Sequence, residues 1–206
     1  MKGLYLVTDR ALCGGRSLED VVQQVVRGGA SCVQLREKDI STRDFVDEAS
    51  NIKKLLSPFD IPLIINDRLD VALAVGAHGV HVGQNDMPYA IARKLMGPKA
   101  IIGVSVETWD DVEVAEELDC DYIGVSPVFE TPTKTDTKGA WGLDGLKKIR
   151  EYSRHKLVAI GGINERNAAE VVAAGADSIA VVSALCSAEN PCEAARGLAG
   201  IFRGMK

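Results

Sequence analysis

The segment Gln34-Leu35-Arg36-Glu37-Lys38 sets an amide and two cations at alternate positions, so in an extended strand Gln34, Arg36 and Lys38 point to one side. Two cations and an amide then point the same way, which suits an anion such as phosphate. A solvated charge run at a strand end explains the same residues equally well. Two acids follow comparable apolar runs, Asp67 after Ile64-Ile65-Asn66 and Asp86 after Val82-Gly83-Gln84-Asn85. Each alone suits a helix N-cap. As a pair at the ends of adjacent strands they also suit a shared Mg2+, which takes few carboxylates and completes its shell from water and phosphate oxygens.

Further along, Ser105 closes an apolar run, either as a hydrogen-bonder to phosphate or as the polar end of a strand. Thr131-Pro132-Thr133-Lys134 lies within a polar segment, 130–142, that reads as a mobile lid closing over ligands or as plain surface. The last two apolar runs end in Gly161-Gly162 and Val182-Ser183, where backbone N–H groups and a short helix N-terminus suit phosphate. Glycines there also serve as spacers between helix and strand. His78, His81 and His155 have no second histidine or thiol at ligand spacing and read as structural or surface residues. There is no GxSxG elbow and no other marked nucleophile.

Composition narrows the classes. The 206 residues are 46% hydrophobic with a formal net charge of -5, enough for one sizeable core and without the basic footprint that nucleic acid or an anionic membrane surface requires. Arg10 interrupts the first apolar stretch, so the N-terminus reads as neither signal peptide nor membrane span, and the expected location is the cytoplasm. Cys13, Cys32, Cys120, Cys186 and Cys192 are odd in number and lack CxxC spacing, as expected for reduced, mostly buried thiols.

The elements that must position these residues alternate throughout. Strands are expected at 4–8, 32–36, 63–66, 80–83, 101–106, 122–126, 157–161 and 179–183, with amphipathic helices between them. Phe45, Ala49, Ile52 and Leu56 form one helical stripe, and Ala195, Leu198, Ala199 and Phe202 another. Ser17, Ser41 and Thr108 each precede an acid by three residues, and Asn190-Pro191 offers a cap followed by a proline in the first turn. GGASCVQLR, VGAHGVHVG and AGADSIAVV repeat one helix-to-strand joint, with Gly-Ala before the strand. An open doubly wound sheet is the rival, but the first strand-to-helix turn holds only Gly14-Gly15 and no GxGxxG. Eight successive units favour closure, so the expected fold is α/β, a single-domain (β/α)8 TIM barrel over 1–206, with its site at the C-terminal strand ends.

The ordered motifs QLREK, IINDR, HVGQND, TPTK and AIGGI, each at a strand end, resemble those of the thiamine-phosphate synthase family over essentially the whole chain. That resemblance implies a transferase joining 4-amino-2-methyl-5-hydroxymethylpyrimidine diphosphate to thiazole phosphate, with release of diphosphate. It implies that Gln34, Leu35, Arg36, Glu37, Lys38, Asn66, Ser105 and Lys134 bind the pyrimidine diphosphate, Arg36, Lys38, Lys134 and Ser105 being the catalytic members. It further implies Mg2+ on Asp67 and Asp86, and the thiazole phosphate on Thr131, Pro132, Thr133, Gly162, Val182 and Ser183. Ser126 and Trp141 depart from the family pattern, which bears on the shape of the loop between them. The chemistry implied needs no general base: loss of diphosphate leaves a cation that the aminopyrimidine delocalises and the thiazole nitrogen captures. The protein's part is then alignment and leaving-group stabilisation. Rivals on similar barrels are a thiazole tautomerase, a regulatory paralogue without catalysis, and a sugar-phosphate epimerase. The first has no diphosphate to ionise, and the last needs an acid/base pair for which Asp67 has no convincing partner.

Overall fold

The computed structural model describes residues 2–131 and 139–203. Among these, β1 (Gly3–Val7), β2 (Ala30–Leu35), β3 (Leu63–Asn66), β4 (Gly79–Val82), β5 (Ile101–Val106), β6 (Tyr122–Val125), β7 (Leu157–Ile160) and β8 (Ser178–Val181) pair in parallel in sequence order. Pairing of β1 with β8 closes the barrel. The expected strands are all present, with 63–66 and 101–106 at their expected bounds and the others displaced by a residue or two.

Strand alternation divides the apolar residues into two layers. Leu4, Leu6, Val33, Leu35, Ile65 and Ile102 are buried among the residues packed against the helices. Tyr5, Val7, Cys32, Ile64, Tyr122, Val158 and Ala180 form a smaller cluster inside the barrel. Burial on both faces explains why these strands read as nearly continuous apolar runs.

The helices are α1 (Leu18–Gly28), α2 (Thr42–Leu56), α3 (Leu69–Val75), α4 (Tyr89–Met96), α5 (Trp109–Glu116), α6 (Gly142–Tyr152), α7 (Ala168–Ala173), α8 (Ser183–Cys186) and α9 (Pro191–Gly200). Their starts follow the capping chemistry. Ser17 accepts from Asp20 N–H, Ser41 from Asp44 N–H and Asn190 from Glu193 N–H, while Thr108 and Asp111 complete a reciprocal box, each cap contributing about 1 kcal/mol. The repeated joint works through left-handed glycines: Gly29, Gly76 and Gly175 turn the chain at φ 111°, 60° and 112° into the following strand. Among the described residues no helix is long and apolar enough to cross a membrane.

Candidate active site

At the C-terminal ends of the strands the barrel opens into a pocket of ≈ 420 Å³, a volume suited to a small ligand, and every strand contributes to its wall. Gln34, Arg36, Lys38, Asn66, Asp67, Asp86, Ser105, Thr131, Gly162, Val182 and Ser183 all line it. Pro132, Thr133 and Lys134 lie outside the described residues.

Two expected residues leave the group. Leu35 is fully buried in the layer between barrel and helices. Glu37 turns the same way, and its side chain, only 6% exposed, lies 3.4 Å from Arg10 Nε. The alternation that aims Gln34, Arg36 and Lys38 inward necessarily aims their neighbours outward. Arg36 is anchored at its backbone, whose N–H donates to Thr8 Oγ1 at 2.9 Å, and its guanidinium remains 3.9 Å from Asp9.

Neither pocket acid acts as a helix cap. Asp67 sits in the left-handed region at φ 60°, its N–H donating to the His81 carbonyl at 2.8 Å, and its carboxylate pairs with Lys38. The α3 N-cap is Arg68, without a side-chain cap bond. Asp86 accepts from Gly83 N–H at 2.8 Å, whereas the α4 N-cap is Pro88. A left-handed non-glycine residue is strained by about 1–2 kcal/mol, and such strain collects where a side chain must be aimed. Burial raises the Asp86 carboxyl above the usual range, and the neighbouring Asp67 carboxylate adds to the rise against the pull of Gly83 N–H and Lys38. Two neighbouring carboxylates that repel each other are residues that could hold a divalent cation. Among the described residues no third histidine, thiol or carboxylate completes a protein-only cage, and Mg2+ often binds through one or two carboxylates with substrate oxygens.

On the far wall, Gly161 (φ 106°) and Gly162 (φ 66°) are pressed against the segment after β6. A Cβ on Gly161 would stand 2.5 Å from Pro127 Cβ, and one on Gly162 would stand 2.8 Å from Phe129 Cβ. Both glycines thus give room to the segment after β6, not to a helix, and they line the pocket as well. Val182 and Ser183 open α8 beside them. The departures from the family pattern are accommodated locally: Ser126 lines the pocket, and Trp141 packs its side chain over Gly145 of α6.

One expectation needs correction. His78 is exposed and accepts from Leu63 N–H at 3.0 Å, and His155 is buried beside the carbonyls of Cys120 and Ala115, so both are structural. His81, however, faces the pocket, with Nε2 2.8 Å from Ser105 Oγ and Nδ1 3.0 Å from Tyr122 Oη. Tyr5 and Tyr122, absent from the expected site, form the pocket floor. A readable sign was present: His81 is a polar residue between Val80 and Val82, the parity that turns inward when the valines pack outward.

A closed barrel whose mouth gathers cations, an amide and a pair of acids defines a (β/α)8 protein built for small anionic ligands. The chain matches the family model described as "Thiamine monophosphate synthase" over residues 4–185. It belongs to that family. It is 60% identical over 192 residues to the thiamine-phosphate synthase of Albidiferax ferrireducens, covering 93% of this chain and 88% of the relative. With the thiamine-phosphate synthase of Leptospira biflexa it shares 53% identity over 206 residues, 98% of each chain. The solved structure of a thiamine phosphate pyrophosphorylase from Pyrococcus furiosus superposes with a TM-score of 0.90 at 39% identity, covering 98% of this chain and 96% of that one.

Proposed function

We propose that this protein is a cytoplasmic thiamine-phosphate synthase, joining 4-amino-2-methyl-5-hydroxymethylpyrimidine diphosphate to thiazole phosphate and releasing diphosphate. The observation that carries the reading is the convergence of Gln34, Arg36 and Lys38 from one strand end on a pocket whose adjacent strand ends supply Asp67 and Asp86. A diphosphate ester carrying roughly three negative charges needs that concentration of positive charge as its carbon–oxygen bond breaks. Arg36 and Lys38 stabilise the departing oxygens, with Lys134 in the role the family resemblance implies. Ser105 donates a hydrogen bond to them, while Gln34 and Asn66 orient the pyrimidine ring. Gly162, Val182, Ser183 and the 131–133 segment hold the thiazole phosphate, so that the thiazole nitrogen meets the pyrimidine methylene carbon as diphosphate leaves.

Asp67 and Asp86 would hold Mg2+, and bound there it would neutralise diphosphate oxygens that two carboxylates alone would repel. Lys38, paired with Asp67, links that acid pair to the anion-binding strand end. The test is direct: purified protein is mixed with both substrates and Mg2+, and thiamine phosphate is sought by mass. Its formation, dependent on Mg2+, is the expected result. Folded protein that forms none, with both substrates intact, overturns the proposal.

A further inference from the structure

Five side chains from five strands join into one line across the pocket floor. Gln34 Nε2 donates to Tyr5 Oη at 2.9 Å, Tyr5 Oη lies 2.9 Å from Tyr122 Oη, Tyr122 Oη 3.0 Å from His81 Nδ1, and His81 Nε2 2.8 Å from Ser105 Oγ. The packing is built around this line. The Tyr5 and Tyr122 rings meet edge to face at 6.0 Å, and His81 stacks on Tyr122 at 5.4 Å. Gly103, the cross-strand partner of both His81 and Tyr122, makes room: a Cβ there would fall 2.1 Å from Tyr122 Cζ. Gly124 does the same for His81, whose Cε1 would be 2.9 Å from a Cβ.

The geometry points to Tyr5, Tyr122 and His81 as positioning residues that tie the donor or acceptor state of Gln34 to that of Ser105. A phenol has one hydrogen to give and a neutral imidazole has one N–H, so with the ring neutral and every link kept the line runs in one of two directions. With Gln34 Nε2 donating, Tyr5 gives its hydrogen to Tyr122, Tyr122 to His81 Nδ1, and His81 Nε2–H to Ser105. Ser105 then turns its own hydrogen toward the pocket, and Gln34 keeps its carbonyl oxygen as acceptor. Run backwards, Ser105 becomes an acceptor and Gln34 a donor. Burial holds both phenols well above their ordinary pKa, so each keeps its proton. Cys32, another polar neighbour of Tyr5, directs its S–H to the Pro62 carbonyl at 3.8 Å and offers its sulfur to the Tyr5 hydrogen as a weaker acceptor than the Tyr122 oxygen at 2.9 Å.

Resting on the proposed function, the relay acquires a use. An aminopyrimidine diphosphate offers a donor at its amino group and acceptors at its phosphate oxygens. The forward direction meets both at once, with Gln34 accepting and Ser105 donating. A 4-oxo analogue still needs Ser105 as donor but offers an acceptor to an acceptor at Gln34, and such a mismatch in a buried site is heavily discriminated against. The relay thus makes specificity for the amino group depend on residues that need not touch it.

Two experiments test this. The first compares kcat/KM for the 4-amino and 4-oxo substrates in wild type, Tyr122→Phe and Tyr5→Phe. Cutting the line lets Gln34 reverse while Ser105 stays a donor, so the amino-to-oxo preference should collapse by at least about tenfold. A preference changed by less than that, with both substrates slowed in parallel, overturns the relay and leaves a packing role. The second needs no turnover: 15N spectra of histidine-labelled Gln34→Glu and Gln34→Lys read the His81 tautomer. Recorded above the pH at which its carboxyl ionises, glutamate only accepts and should enforce Nδ1–H, whereas lysine only donates and should enforce Nε2–H. The same tautomer in both variants overturns the proposal. Failure of wild type to make thiamine phosphate would sink the functional reading and leave this second result standing.

Discussion

Two pairs of carboxyl groups flank the end of β2, each beside one cation, and they meet different fates. Asp67 and Asp86 line the pocket, with Lys38 paired to Asp67, which remains 20% exposed. Glu37 and Glu48 face the other way, into the layer between β2 and α2, with side chains 6% and 8% exposed and Arg10 bridging them. The Glu37 carboxyl is pushed up to about 7, first by burial and then by the Glu48 carboxylate, with Arg10 opposing. A sealed acid pair relieves its repulsion by keeping a proton, because no hydrated ion can reach it. An open pair can do so by taking a cation together with that cation's substrate oxygens. One residue of offset along a strand separates Glu37 from Lys38, and with it a structural pair from a candidate metal pair.

The largest expected effect breaks the open pair. Asp67→Asn and Asp86→Asn should lower Mg2+-dependent turnover by about 100-fold or more while leaving thermal stability near wild type, because the lost group serves the ion and not the core. Turnover measured across a Mg2+ titration, alongside melting curves, checks this. An unchanged Mg2+ dependence in both variants would set the two pairs on the same footing and remove the contrast.

A smaller effect is expected at the cations on the pocket side. Arg36→Ala and Lys38→Ala should each reduce turnover by tenfold or more, corresponding to about 1.4 kcal/mol of transition-state stabilisation. Lys38→Ala carries a second consequence, since Asp67 loses its partner and the acid pair becomes more repulsive. Mg2+ should then bind that variant at least as tightly as wild type even as turnover falls. Steady-state rates combined with Mg2+ titration calorimetry in the presence of inorganic diphosphate separate the two effects, and near-normal turnover in both variants would sink the leaving-group role.

The pocket side of this contrast is legible in the sequence. Period-two alternation placed Gln34, Arg36 and Lys38 together, and the Gly-Ala joints and caps located the elements around them. Leu35 and Glu37 entered the expected site because a motif was carried over as a block, although the same alternation argues against their side chains. His81 has no partner at metal-ligand spacing, and its only sign in the sequence is its inward parity between two valines. The left-handed turn at Asp67 and the meeting of Glu37 with Glu48 leave no local signature. The first depends on how β3 hands over to α3, and the second on a contact between a strand end and a helix eleven residues further along. Tertiary placement decides both.

The smallest expected effect sharpens the sealed pair, and its sign follows from proton linkage. Below about 4.5 the Glu37 carboxyl is protonated in both folded and unfolded chains, so its contribution to stability is fully present. Between about 4.5 and about 7 the unfolded chain has released that proton while the folded one retains it, so stability declines as pH rises through this window and levels off above it. Glu37→Gln removes the titration while keeping a neutral group of the same shape beside Glu48 and Arg10. Melting temperatures of the two proteins should therefore converge near the acid end of the window and separate toward pH 8 in favour of the glutamine variant. Groups that titrate in both proteins and lie away from the pair, Asp86 among them, cancel in the difference. Turnover at neutral pH should stay within severalfold of wild type, because Glu37 points away from the pocket. A melting difference that does not change with pH would show that the sealed pair keeps no extra proton. Glu37 and Glu48 would then be an ordinary ion-pair network with Arg10, and burial alone would not account for the contrast across β2.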